Sequence, residues 1–276
     1  MANIASTVQN YYSQGTLRDR IFGWLSENGV DPDQLTCEQL HPLDQLHGRG
    51  IYATREHAEH AAIPPRAKVL DLGCGVGGAS RFLATEYSCR VTGIDLTPEF
   101  VDVATELTRR CGLADQVEHL QGDATDLPFD DDTFDHVWCH NVTMNIENKA
   151  ALIRQVARVL KKNGRFSCVE VGQGPAGPAT FPVPWAMEAS SSFLVTPEHM
   201  QEIVEAGGLR IIKQIDLTAA SEAFRKQEQE RIARGERPLR ANHIVMGDDF
   251  PVRAQNSAVN VAERRVIEHI IIAEKV

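Results

Sequence analysis

Asp71, Asp95 and Asp123 each stand near the end of, or just past, a short stretch that reads as a strand, and a glycine cluster lies just beyond the first of them. The cluster reads VLDLGCGVGG over 69–78. Gly73, Gly75, Gly77 and Gly78 can take positive φ there and let a ligand touch the backbone. A helix opening at this turn presents free N–H groups and its positive dipole end to that ligand. Gly73-x-Gly75-x-x-Gly78 by itself fits a dinucleotide fingerprint, so a nucleotide-like cofactor is expected. Asp71 would repel a pyrophosphate and suits a cationic group. Asp95 can accept hydrogen bonds from both hydroxyls of a ribose, as an acid about 20 residues past such glycines does for several nucleoside cofactors. Gly122-Asp123-Ala124 offers an acceptor for an adenine amino group.

Two histidines are candidate bases for the chemistry beside that cofactor. His140, followed by Asn141, has an unperturbed pKa suited to proton transfer. The bland alternative is that His140 or Asn141 holds the cofactor or caps the turn. His47 is the second candidate, against a reading in which Gln45 and His47 bond backbone beneath a lid. Tyr11 and Tyr12 either pack over the cofactor or belong to a helix face. Arg49 suits a carboxylate, of the acceptor or of the cofactor, and His136 reads as a structural group in the sheet. Ten histidines without HxxxH spacing make a metal site an unexpected feature.

The elements that must position these residues follow from periodicity. Residues 1–62 read as helical. Thr16 is expected to cap a helix with Leu17, Ile21, Phe22 and Leu25 on one face, ending at Gly29. Thr36 and Gln39 suggest a capping box, HPLDQLHGRG (41–50) a polar turn, and 51–62 a third helix stopped by Pro64-Pro65. From residue 66 strands alternate with helices: strands over 68–72, 90–95, 117–121, 133–139 and 165–171, with a helix over 150–160 stopped by Asn163-Gly164. Thr97-Pro98-Glu99 and Thr196-Pro197-Glu198 open helices. Strands over 209–216 and 266–274 and helices over 219–234 and 251–264 complete the chain. Such βα repetition implies an α/β fold with a mainly parallel sheet. The stretch 172–195 carries Phe181, Trp185 and Phe193 as exposed-looking aromatics in a long loop of the kind that is usually functional.

With 42% hydrophobic and 24% charged residues the chain has an ordinary globular composition, and its net charge of −10 argues against nucleic acid or an anionic membrane as partner. No apolar run reaches the length of a membrane span. The N-terminus lacks the features of a signal peptide, and six scattered cysteines suit a reducing cytoplasm.

Taken together, DLGCGVG, GIDLT and GDATDLPF resemble the class I S-adenosylmethionine-dependent methyltransferases over about 67–171, with the termini resembling them more loosely. LDQLHGRGIYATREHA is similar to the segment ahead of that fold in sarcosine/dimethylglycine-type and tocopherol-type enzymes. TPEF, LPFDDDTFD and VTPEHM resemble the same small-molecule group, which includes ubiquinone/menaquinone-biosynthesis enzymes. Where those relatives carry DQFH and a GG pair, this chain has DQLH and Gly48-Arg49-Gly50. VTMNIEN slightly resembles isoprenoid C-methyltransferases.

The resemblance implies a Rossmann-like seven-stranded sheet with helices on both faces and an antiparallel last strand. It also implies an N-terminal helical cap over 1–62 and a cofactor domain over 63–276 with lid insertions 172–195 and 219–264. It implies S-adenosylmethionine held by Asp71, Gly73, Gly75, Gly77, Asp95, Leu96, Gly122, Asp123, Ala124, His140 and Asn141. Asp95 would take the ribose, Asp123 the adenine, and Gly73 and Gly75 the aminoacyl end with Asp71 nearby. The expected reaction is methyl transfer to N, O or C of a small molecule, leaving S-adenosylhomocysteine, with His140 and His47 as candidate catalytic residues. The rivals are an NAD-dependent oxidoreductase, which shares the glycine turn, and a non-catalytic protein that retains the cofactor site.

Overall fold

The computed structural model describes residues 17–236 and 240–276. The expected cap at Thr16 and the packing of Tyr11 and Tyr12 lie outside those residues.

Seven strands form one sheet: β1 (Lys68–Leu72), β2 (Arg90–Asp95), β3 (Val117–Gln121), β4 (Phe134–His140), β5 (Leu160–Gln173), β6 (Leu209–Asp216) and β7 (Val266–Lys275). Their order is β3-β2-β1-β4-β5-β7-β6. The first five pair in parallel, and β7 runs antiparallel to both neighbours, β5 and β6. The order reverses between β1 and β4. Sheets of this kind bind ligands in the crevice at such a reversal, outside the carboxyl ends of the strands.

Side-chain alternation along the strands divides the core. Leu70, Leu72, Val137 and Phe166 turn to one face, against α6 (Lys149–Val159) and α7 (Pro197–Ala206). Val69, Val91, Trp138 and Ile272 turn to the other, against α3 (Ile51–Ala61) and α4 (Gly78–Tyr87). A third cluster joins α1 (Leu17–Glu27) and α2 (Cys37–Asp44) to α5 (Pro98–Arg110) and α9 (Asn242–Met246). The remaining helices are α8 (Thr218–Ala233) and α10 (Phe250–Ala262). The capping box at Thr36 and Gln39 forms, and the Thr196 hydroxyl accepts from the His199 amide at 3.2 Å.

Three local expectations are corrected. α6 ends at Val159 because Leu160 already pairs with Phe134; the next pair is His136 with Arg165, so residues 161–164 loop out of the ladder and Asn163, at φ 62°, lies in that bulge. The polar turn over 41–50 is instead largely internal: α2 runs through Pro42 to Asp44, and Asp44, Gln45 and Arg49 are buried. Trp185 is buried at 3% exposure with Val171, Val183, Val261 and Val266, so 172–195 is a packed segment whose Phe181 and Phe193 are half-buried.

Candidate active site

The glycine turn links β1 to α4. Gly73, Gly75 and Gly77 have φ of 65°, 53° and 81°, all in the region that disfavours a side chain. A Cβ at Gly73 would lie 2.5 Å from Val142 Cγ2. The turn folds back on β2: the Gly73 amide donates to the Ile94 carbonyl at 2.8 Å, and the Gly75 amide donates to Asp95 Oδ2 at 2.9 Å. Asp95 Oδ1 accepts from the Thr97 amide, also at 2.9 Å. Both carboxylate oxygens are thus fixed by backbone, and each retains a second lone pair for a ligand. Burial pushes the Asp95 pKa up, and the Thr97 and Gly75 amides oppose it. After β3, Asp123 Oδ1 accepts from the Thr125 amide and hydroxyl at 2.8 and 2.7 Å, a side-chain-closed turn.

These residues line a cavity of about 470 Å³ at the carboxyl ends of the strands. Its lining includes Gly73, Gly75, Asp95 and Leu96, then Gly122, Asp123 and Ala124, and His140 and Asn141. Leu46, His47 and Gly48, from the connection between α2 and α3, line it too, as do Met144 and Trp185. The volume falls within the range of small-molecule sites.

Asp71 and Gly77 are not among the residues that line the cavity. Asp71 is buried behind the turn and accepts from the Ser80 hydroxyl at 2.6 Å; burial pushes its pKa up to about 7. Gly77 is required by packing, since its Cβ would lie 2.7 Å from Arg81 Nη1 and 2.8 Å from His119 Cε1. Arg49 pairs with Glu56 and is absent from the cavity wall. His136 is buried in the sheet with Nε2 2.8 Å from the Ser167 hydroxyl.

His47 and His140, 93 positions apart in the chain, stack with ring centroids 3.8 Å apart and planes 4° from parallel. His57 meets His140 edge-on at 5.2 Å and stacks on Trp138 at 3.5 Å. Burial, and then neighbouring cationic groups, push His47 down to about 3 and His140 well below its ordinary value. Both rings are therefore neutral at physiological pH. The premise of a histidine base with an unperturbed pKa is corrected: a charged ring in this stack would be desolvated and repelled.

Residues 70–168 match a family described as "Methyltransferase domain". This stretch is similar to methyltransferase domains.

Among similar proteins, 2-methyl-6-phytyl-1,4-hydroquinone methyltransferase of Synechocystis is 41% identical over 114 residues, 41% of this chain and 35% of that protein. A geranyl diphosphate C-methyltransferase from Streptomyces coelicolor, solved with geranyl-S-thiolodiphosphate, Mg2+ and S-adenosylhomocysteine, superposes with TM-score 0.71 at 15% identity. That superposition covers 100% of this chain and 99% of the other. The [4+2]-cyclase SpnF superposes at 0.66, with 23% identity and 95% of each chain covered. The chain spans between 18% and 46% of the length of the curated relatives it matches.

Around the matched stretch stand cavity residues that sequence reasoning missed. Arg225, Arg240, Asn242 and Glu268 come from α8, the segment before α9, α9 itself and β7. They lie 140 or more positions beyond the glycine turn, and no local spacing signals them. Arg81 of α4 is fully buried; it pairs with Asp44 at 2.9 Å and donates to the Val76 carbonyl at 2.8 Å and to the Thr108 hydroxyl at 3.2 Å. It thereby fastens the end of α2 to the glycine turn. A Cβ at the neighbouring Gly78 would lie 2.7 Å from Gln45 Nε2, so the α2 end rests directly on the turn.

Proposed function

We propose that this protein transfers a methyl group from S-adenosylmethionine to a small-molecule acceptor. The observation that carries the reading is Asp95, whose two oxygens are anchored by the Gly75 and Thr97 amides within the matched domain and on the cavity wall. The residues present fit the cofactor: Asp95 keeps lone pairs for both ribose hydroxyls, and the left-handed turn at Gly73 and Gly75 admits an aminoacyl group against bare backbone. Asp123, with Leu96, Gly122 and Ala124, borders the expected adenine position. Asp71, one layer behind, would act on the cofactor's charge through the turn.

The cofactor, when bound, supplies an electrophilic methyl on a sulfonium. This chain's residues then have three tasks: to hold the donor, to align the acceptor's nucleophile opposite the sulfur, and to exclude water. Alignment of this kind contributes up to about 7–11 kcal/mol in favourable cases. The neutral His47–His140 pair adds no positive charge beside a sulfonium. The N-terminal helices over 17–62 and the segments 172–195 and 219–264 serve as cap and lid, supported by the positions of Leu46, Trp185 and Arg240 on the cavity wall. Six free cysteines support placing the protein in a reducing compartment such as the cytoplasm. No helix among the described residues is long and apolar enough to cross a membrane.

Fold likeness alone does not decide the chemistry, since a cyclase shares it. The deciding experiment incubates the protein with methyl-labelled S-adenosylmethionine and an extract of small metabolites. Label in an extracted metabolite together with S-adenosylhomocysteine release supports methyl transfer. Binding of S-adenosylhomocysteine without turnover on any acceptor supports the non-catalytic reading, and preferential binding of NADH the oxidoreductase.

A further inference from the structure

A chain of side-chain hydrogen bonds, buried for most of its length, runs from Arg81 behind the glycine turn to His47 in the cavity lining, and it determines where a proton sits. Asp44 Oδ2 accepts from Arg81 Nη2 at 2.9 Å, so this carboxylate is an acceptor only. Asp44 Oδ1 accepts from Gln45 Nε2 at 2.9 Å, which fixes the orientation of the Gln45 amide. Gln45 Oε1 lies 2.5 Å from Thr54 Oγ1, and a carbonyl oxygen cannot donate, so Thr54 gives its one hydroxyl proton to Gln45. The other contact of Thr54 Oγ1, at 3.0 Å, is His47 Nε2. With its proton committed, Thr54 can only accept there. His47 therefore carries its hydrogen on Nε2, and Nδ1 bears a bare lone pair.

That nitrogen is buried and has no hydrogen-bond partner among the described residues, and His47 is one of the residues that line the cavity. An unpaired buried acceptor is unfavourable until something supplies a donor. We propose that Thr54 and Gln45 are positioning residues that lock His47 in the Nε2–H tautomer, so that Nδ1 accepts a hydrogen bond from the N–H or O–H of the acceptor's nucleophile. The acceptor class is then a protic heteroatom, an amine or a hydroxyl, in preference to an alkene carbon. This rests on the methyl-transfer reading only in its assignment of the donor; the tautomer itself stands on the hydrogen bonds.

The test separates the two. Long-range ¹⁵N–¹H spectra of histidine-labelled protein, with His47→Gln to assign the ring, should show His47 protonated at Nε2 and bare at Nδ1 without any substrate. Thr54→Val should mix the tautomers, Thr54→Ser should restore the single form, and turnover of an amine or hydroxyl acceptor should follow the same order, falling about two- to tenfold in Thr54→Val. A wild-type proton on Nδ1, or an unchanged spectrum in Thr54→Val, overturns the relay. A mixed tautomer with undiminished turnover, or a carbon acceptor as the only substrate, overturns the role assigned to Nδ1. A pure Nε2–H signal in a protein that methylates nothing upholds the relay and defeats the methyl-transfer reading instead.

Discussion

Replacing Arg81 by methionine should be among the most damaging single changes outside the cavity. The Arg81 and Asp44 side chains are 0% and 1% exposed and 2.9 Å apart. Methionine fills much of the same volume but leaves the Asp44 carboxylate buried without its cation. Breaking a buried pair in this way costs about 3–5 kcal/mol, a large part of the roughly 5–15 kcal/mol that holds a domain folded. At about 2–4 °C per kcal/mol for a chain of this size, the thermal midpoint should fall by roughly 6–20 °C. The assay is urea unfolding of Arg81→Met, Asp44→Leu and the double variant. Each single variant leaves one orphaned charge, whereas the double variant removes both and should recover most of the loss. A cost below about 1 kcal/mol for Arg81→Met, the value of a solvated pair, would refute the reasoning, as would strict additivity of the two changes.

Gly73→Ala should weaken S-adenosylhomocysteine binding about tenfold or more, measured by calorimetry, since its φ of 65° is strained by about 1–2 kcal/mol for alanine and its Cβ lies 2.5 Å from Val142 Cγ2. Acid should unfold the protein early. His47, His57, His119, His136 and His140 all have folded pKa values lowered by burial, three of them to about 3. The unfolded chain takes up protons near pH 6.5 that the native state refuses. Stability should therefore fall as pH drops from about 6.5 towards 3, by up to about 1.4 kcal/mol per pH unit for each ring, as urea midpoints across that range would record. Asp71 acts with the opposite sign: between about pH 4 and 7 the native carboxyl keeps a proton that the unfolded one has lost, so its contribution declines as pH rises. Asp71→Asn should accordingly gain stability relative to wild type at pH 8 more than at pH 5, with equal urea midpoint shifts at the two values arguing against a raised native pKa.

Much of the sheet was legible because apolar residues recur along the strands between polar, proline or glycine turn signals. β1, β2, β3 and β6 fall on the expected residues, and Asp95 and Asp123 stand on the cavity wall. The readings that failed share a physical cause. His41, Pro42 and Asp44 have the composition of a turn, yet Leu40 and Leu43 bury one helical face, and Asp44 is internal because Arg81 neutralises it from 37 positions away. Trp185 sits among prolines and glycines that suggest an open loop, but Val261 and Val266 supply an apolar partner from the far end of the chain. Asp71 stands beside the glycines in the chain, and its Oδ2 accepts from the Ser80 hydroxyl behind the turn. His47 and His140 were separately legible as candidates. Their stacking, and the burial that keeps both neutral, are properties of the assembled cap and sheet.

The central claim is that Asp95 anchors the ribose of a sulfonium nucleoside in this cavity. Isothermal titration of S-adenosylhomocysteine into wild type and Asp95→Ala tests it most directly. Losing two hydrogen bonds to a charged acceptor, at about 1.5–3 kcal/mol each, should weaken binding by at least about a hundredfold while the far-ultraviolet spectrum stays unchanged. Equal affinity in the two proteins, or no binding to wild type, would contradict the account.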